Sequence, residues 1–302
     1  MAQFPIEPKQ TDDTLLAWSL QDIENRIGFK GGRYTNVNHL LAFLAALLLA
    51  AIFYGLMVFV FKHLPVTSFI ANMFLRPSNL PIMIPATVFF FVGVMVLWLK
   101  HFKLRFQERA LGLAVVPDAT DFVLNETTAA AVLARLHDRV DHPRHFILCN
   151  RIDRALSNLK NMGQINDVSS ILRAQAENDE DQVASSYTLV NGLVWAIPVL
   201  GFIGTVLGLS RAIGSFGLTL GAAMNISVIR DSLKGVTAGL ATAFETTLVA
   251  LVFALILQLW ITVQQKREMA FLDECNDYCH SHVVSRLRLV RQQNPEAPPS
   301  QP

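Results

Sequence analysis

The residues of this sequence best suited to chemistry sit inside apolar stretches. Thr205 lies in WAIPVLGFIGTVLGLSRA (195–212), and Thr247, beside Thr246, lies in GLATAFETTLVALVFA (239–254). On a helix, Pro198, Gly201, Thr205, Gly208 and Ala212 recur at steps of three and four and so share one face. Gly239, Ala243, Thr247, Ala250 and Ala254 make a similar stripe. Two lipid-length helices, each with a narrow seam of small and hydroxyl residues, are suited to close backbone approach. A hydroxyl in each seam leaves a polar spot at membrane depth, where polarity is costly and often marks an ion path.

Glu245 is the ionisable residue of the second stretch, and a carboxylate inside a span is a functional hypothesis by default. Its expected state is protonated or closely paired. At about 100° per residue it stands roughly 200° around the helix from Thr247, so the two cannot face one pore. Either Glu245 looks back into its own subunit or a neighbour, or the lining face comprises Thr242, Glu245 and Thr246. The first is preferred, with Glu245 as an inter-helix proton site or a structural hydrogen-bond donor.

The elements that must position these groups are helices in a membrane. Of 302 residues 52% are hydrophobic and only 16% charged, too apolar for an ordinary soluble domain of this length. A net charge of +1 without a long basic run gives no sign of nucleic-acid binding. Three cysteines, Cys149, Cys275 and Cys279, make no disulfide framework. The N-terminal MAQFPIEPKQTDD lacks a basic region followed by an apolar core, so no cleaved signal peptide is expected.

Residues 1–39 are polar, with Leu16, Leu20, Ile23 and Ile27 on one helical face, as in an in-plane helix or a short cap on the bundle. Residues 40–99 hold two spans, Leu40 to Phe61 and Leu80 to Leu99, each close to the roughly 20 residues a bilayer requires. Between them a short exposed connection is expected. Pro81 falls in the first helical turn, where it costs little, and Pro85 lies a turn further in, as a possible kink. Residues 100–187 open with Lys100, Lys103, Arg105 and Arg109 and continue as helices, long enough for a helical hairpin. Residues 188–265 hold spans three (188–213) and four (236–263), joined by a glycine-rich link over 214–234. Residues 266–302 read as a separate amphipathic helix with Phe271, Leu272, Cys275, Cys279, Val283 and Leu287 near one face, then the proline-rich NPEAPPSQP, expected to be disordered. The fold class is therefore all-α: four transmembrane helices with a helical cytoplasmic extension. Lysine and arginine concentrate in the terminal segments and the long loop, which places both termini and that loop in the cytoplasm.

Two of these stretches carry a resemblance. IPVLGFIGTVLG, with Pro198, Gly201, Gly204, Thr205 and Val206, followed by GVTAGLATAFETTLVAL, resembles the MotA/TolQ/ExbB family of ion-channel subunits. The motif match covers about residues 188–265, and four spans around a large cytoplasmic loop look more like the MotA branch. The resemblance implies a homo-oligomeric, pentameric ring in the bacterial inner membrane. Five copies surround a dimer of single-span MotB-, ExbD- or TolR-like partners that carry a membrane aspartate. Protons or sodium ions pass at that interface and turn the ring, with no chemical catalysis. On matching positions Thr205 and Thr247 line the ring beside the partner's carboxylate, with Thr246 about even with Thr247. A threonine hydroxyl donates and accepts, so it holds a water or a partly dehydrated ion without fixed charge. Pro198, Gly201, Gly204, Gly208, Gly239 and Ala243 form the packing seam. Flagellar, envelope and defence motors all remain open as outputs.

The plainer readings are these. A membrane threonine often bonds only its own backbone one turn back. Cys275, Cys279, His280 and His282 supply too little for a closed zinc site and read as buried small cysteines, so no metal or cofactor is expected. Arg135, His137, Arg139, His142, Arg144, His145, Arg151 and Arg154 form a basic band, usually a solvated face. No Walker loop, nucleophile elbow or dinucleotide fingerprint is present, so no enzyme is expected. The reading from another class is a membrane scaffold or a secondary transporter; the inverted repeats and broken helices of transporters are not found.

Overall fold

The computed structural model describes residues 34–63, 68–113, 115–117, 122–157, 165–220 and 226–288, together with 16, 18, 23–26, 28, 32 and 159. All regular structure among the described residues is helical, with two isolated bridges, Leu16–Val140 and Leu124–Leu287. After a single turn at Ile23–Arg26 come α1 (His39–His63), α2 (Ser68–Leu75), α3 (Leu80–Leu111), α4 (Glu126–Arg139), α5 (Ile147–Ser157), α6 (Ile165–Ser185), α7 (Thr188–Leu220) and α8 (Ile226–Cys279). Four stretches are long and apolar enough to cross a membrane: His39–Phe59, Leu80–Leu111, Asp167–Gly217 and Ile229–Val284. The last three are longer than the roughly 20 residues a bilayer requires. The chain is a multi-pass membrane protein.

The chain divides into two compact units. The apolar unit comprises Thr35–Phe102 and Gln182–Glu268. Asn38 starts α1 by accepting the Leu40 and Leu41 N–H groups on its side-chain oxygen. Along α1, Ala42, Ala46 and Ala50 recur every fourth residue and are buried, while Leu44, Leu48, Ile52 and Leu56 face outward. The connection between the first two spans, expected to be short and exposed, contains α2 and buries part of it. The helix forms because Met73 and Phe74 bury against Met83 and Val249, with Phe53, Tyr54 and Phe253 around them. Phe90 stacks on Phe253 at 4.2 Å, and α3 continues through Pro85.

The link over 214–234 also differs from expectation. α7 runs to Leu220 and α8 begins at Ile226, so most of that stretch is helical. Close packing explains it: the Ser232 hydroxyl donates to the Ser215 carbonyl at 2.5 Å, and a Cβ on Gly235 would meet Ser215 Oγ at 2.6 Å.

The polar unit comprises Met1–Tyr34, Lys103–Asp181 and Met269–Pro302. Asn125 caps α4 in a capping box: its side chain accepts the Thr128 N–H at 2.9 Å, and the Thr128 hydroxyl accepts the Asn125 N–H at 2.8 Å. α5 buries Ile147, Leu148, Cys149, Ile152 and Leu156. The basic band expected to be a solvated face is split. Arg151 is fully buried and donates from Nε to Asp179 Oδ2 at 2.8 Å, Arg154 donates to Gln175, and His145 lies 5.1 Å from the Trp18 ring. Trp18 also meets Phe106 and Phe146, and its backbone N–H donates to the Asp141 carboxylate. Lys103, expected in a basic cluster at a membrane exit, is instead buried against Glu24 at 2.6 Å. Phe271, Leu272, Cys275, Cys279, Val283 and Leu287 are all buried; the first four lie on an α8 that continues unbroken to Cys279 rather than on a separate helix, and Val283 and Leu287 follow it. Of the N-terminal amphipathic face, Leu20 and Ile27 lie outside the described residues, as does the proline-rich tail.

Candidate functional site

The candidate site is built on α7 and α8, whose small residues let the backbones approach closely. A Cβ placed on Gly208 would lie 2.6 Å from the Gly239 carbonyl oxygen and 2.7 Å from the Ala243 nitrogen. One on Gly239 would lie 2.6 Å from the Gly208 oxygen, so the approach is reciprocal. One on Gly201 would meet the Ala250 Cβ at 2.8 Å, and one on Gly204 would strike the Thr246 side chain. Only glycine fits at these points. With the Ser215–Gly235 contact, the seam runs continuously from Gly201 to Ser215 on α7.

Its line differs slightly from the stripe expected on α7. Gly201, Gly204, Gly208 and Ala212 are buried, while Thr205 is half-exposed at the edge and Pro198 is half-buried. A rotation of about 40° separates Thr205 from Gly201 on a helical wheel, enough to move it from the contact line to its border. Thr247 occupies the corresponding half-exposed position on α8. Its hydroxyl lies 3.0 Å from the Gly201 carbonyl, across the seam, and 3.1 Å from the Ala243 carbonyl of its own helix. The Thr205 hydroxyl donates to the Phe202 carbonyl at 2.6 Å. Thr246, weighed against Thr247 as a lining residue, is fully buried against Gly204, with its hydroxyl on the Thr242 carbonyl at 2.9 Å. It lies inside the packing of this one chain.

Glu245 faces away from the seam. Its Oε2 accepts from Asn79 Nδ2 at 2.7 Å and lies 3.0 Å from Arg76 Nη1, an ion pair whose alignment is not that of a hydrogen bond. Ser78 and Thr242 share a hydroxyl–hydroxyl bond of 2.8 Å, and Arg211 Nη1 donates to the Ser78 carbonyl at 3.0 Å. The sequence reading missed Arg76, Ser78, Asn79 and Arg211 as members of this group. A signal existed. Arg76 is the one charged residue between His63 and Lys100, and Glu245 the one acidic residue from Ser232 to Arg267.

A second buried pair, also missed, joins Lys100 and Glu268 at 3.1 Å. Lys100 Nζ also reaches Thr35 Oγ1 at 3.5 Å and sits 4.1 Å over the Tyr187 ring. Lys100, the first of the four basic residues that open the 100–187 segment, is thus a buried partner. In the polar unit, burial pushes the Cys149 thiol up to about 12. Among the described residues no group of three or more His, Cys, Asp or Glu is placed to hold a metal ion.

The two helices that carry the seam fall within one recognisable segment. Residues 141–274 match the model of the MotA/TolQ/ExbB proton channel family. The MotA/TolQ/ExbB match takes in α5, α6, α7 and most of α8, and therefore Thr205, Thr246, Thr247, Glu245 and every seam glycine. It supports a membrane ion-channel role. Comparison with curated proteins and with solved structures returned no match.

Proposed function

We propose that this chain is the proton- or sodium-conducting subunit of a rotary motor of the bacterial inner membrane. Five copies surround a dimer of a MotB-, ExbD- or TolR-like single-span protein and convert ion flow into rotation, without chemical catalysis. Both termini and the polar unit face the cytoplasm, following the distribution of Lys and Arg. The observation that carries the reading is the α7–α8 seam with Thr205 and Thr247 half-exposed at its borders, within the segment that matches a proton channel family.

The chemistry follows from the side chains. Close packing on glycine leaves no room for lipid between the two helices, so the hydroxyls at the borders are the polar groups available to an ion or water passing along that face. Both threonines already spend their proton on backbone carbonyls, which leaves their oxygen lone pairs to accept from water or to coordinate a cation. The outer faces of α7 and α8 are strongly apolar. Trp195 is 78% exposed, Phe244 71% and Val206 66%, areas suited to lipid and to neighbouring copies.

The test is ion influx into cells expressing the chain with the product of its neighbouring gene, read with an intracellular pH indicator and a sodium indicator. Loss of one hydroxyl contact worth up to about 1.5 kcal/mol reduces influx by up to about tenfold. Thr205→Ala and Thr247→Ala should each show this at unchanged protein level. Native mass spectrometry of the purified assembly should show five copies with two of the partner. Undiminished influx in both variants, or a lone protomer, would leave a scaffold or a transporter instead.

A further inference from the structure

The turn between α2 and α3 is bound to the channel helices by a set of polar contacts that an ion path lined by Thr205 and Thr247 does not use. Asn79 is fully buried, and its amide donates to both the Met73 carbonyl and Glu245 Oε2. Its oxygen accepts from the Ser78 hydroxyl at 3.1 Å, so the Ser78–Thr242 bond takes its proton from Thr242. Arg211 holds the Ser78 carbonyl from α7. Backbone bonds from Asn79 and Leu80 to the Arg76 carbonyl close the turn. Arg76 then stands over the same carboxylate oxygen that Asn79 holds.

We propose that Arg76 is the positioning residue of Glu245, holding its carboxylate as a fixed counter-charge that ties the α2–α3 turn to α8, so that Glu245 anchors the channel helices and does not carry the transported ion. This rests on the proposed ion path for its functional half only. The anchoring half stands on the contacts of the turn.

The geometry argues for an anchor over a carrier in two ways. A carrier must release its ion on one side and reload on the other, which requires the carboxylate to be free of permanent partners. Here one oxygen is engaged by an amide and a guanidinium whose own elements are fixed by the surrounding bonds. Glu245 also points away from the seam, roughly 200° around the helix from Thr247. A lone arginine and a lone glutamate in apolar stretches each carry a desolvation cost that their pairing offsets.

Exchanging the charges separates the two roles. Arg76→Glu and Glu245→Arg each place like charges together; the double exchange restores the pair, while an Asn79 amide that turns its oxygen toward the new arginine gives up its bond to the Met73 carbonyl. Two readouts are taken on the full-length chain. One is the yield of a disulfide between Ser78→Cys and Thr242→Cys under mild oxidation, which reports docking of the turn. The other is ion influx. Each single exchange should lower both several-fold, the double exchange should recover both, and Arg76→Lys should retain most of each. Cross-linking recovered while influx stays lost would make Glu245 an ion carrier and overturn the proposal. Cross-linking unchanged by the single exchanges would show that the pair anchors nothing. If the wild-type chain conducts no ion, the motor reading fails, and the cross-linking series still decides the anchor.

Discussion

Replacing Gly208 by alanine tests the seam most directly, because the atoms it would strike are backbone. The added methyl would sit 2.6 Å from the Gly239 oxygen and 2.7 Å from the Ala243 nitrogen, where ordinary contact begins at 3.4 Å. Neither atom can swing aside, so α7 and α8 must part by most of an ångström. Separation of 0.5–1 Å forfeits about a quarter to a half of each dispersion contact along the line. Overpacking of this kind costs about 1–3 kcal/mol, and the upper end applies where backbone is struck. Alanine's better helix propensity returns at most about 1 kcal/mol. The internal control is Gly192, on the same helix, where an added Cβ meets nothing within 4 Å. Gly192→Ala should therefore be neutral or slightly stabilising. Thermal unfolding of the full chain in lipid nanodiscs should give a midpoint several degrees lower for Gly208→Ala and unchanged or higher for Gly192→Ala. Equal shifts for the two would refute the claim that close backbone approach holds these helices together.

Two further predictions concern buried groups. Lys100→Met or Glu268→Leu alone leaves an uncompensated buried charge and should destabilise the chain by about 3–5 kcal/mol, whereas the double substitution should be close to neutral; additive losses in chemical denaturation would rule this out. The Cys149 thiol ionises near 9.0 in an exposed setting and near 12 in the folded chain, because burial disfavours the thiolate. Above pH 9 the unfolded chain therefore sheds a proton that the folded chain retains, so the thiol's contribution to stability is complete below about pH 9 and falls as pH rises toward 12. The destabilisation caused by Cys149→Ala should shrink over that interval, and a constant difference in unfolding free energy would contradict it.

Much of this fold is legible in the chain because its causes are local. An uncharged run from Leu40 to Phe61 has no stable place in water, whatever surrounds it, so α1 follows from composition and length. Asn125 and Thr128 start α4 by bonds that span three residues. Glycines at helical spacing in 201–208 announce that some backbone comes close, because their spacing alone places them on one side. What periodicity leaves open is which backbone comes close, and at what rotation. Gly204 rather than Thr205 lies in the contact line, and Thr246 rather than Thr247 is sealed inside it. The difference is less than half a turn of helix and depends on the partner's shape.

The same reason explains the stretches read as connections between spans. Ser68–Leu75 and most of 214–234 are weak helices by themselves; the first is held by Met83 and the distant Val249, and the two helical ends of the second hold each other through Ser215 and Ser232. Charge was the least legible feature. Glu245 reads as a carboxylate inside a span without a named partner, and Arg76, Lys100, Glu268, Arg151 and Asp179 read as isolated or clustered charges in one dimension. Asn79 and Glu245 are 166 positions apart, and nothing in either neighbourhood names the other. Burial makes the Lys100–Glu268 and Arg151–Asp179 pairs obligatory, since a charge removed from water needs its counter-charge within a few ångströms. The chain alone determined that it crosses a membrane on helices with small-residue seams; tertiary packing decided which hydroxyls remain open and which carboxylate is bound, because both depend on how distant helices dock.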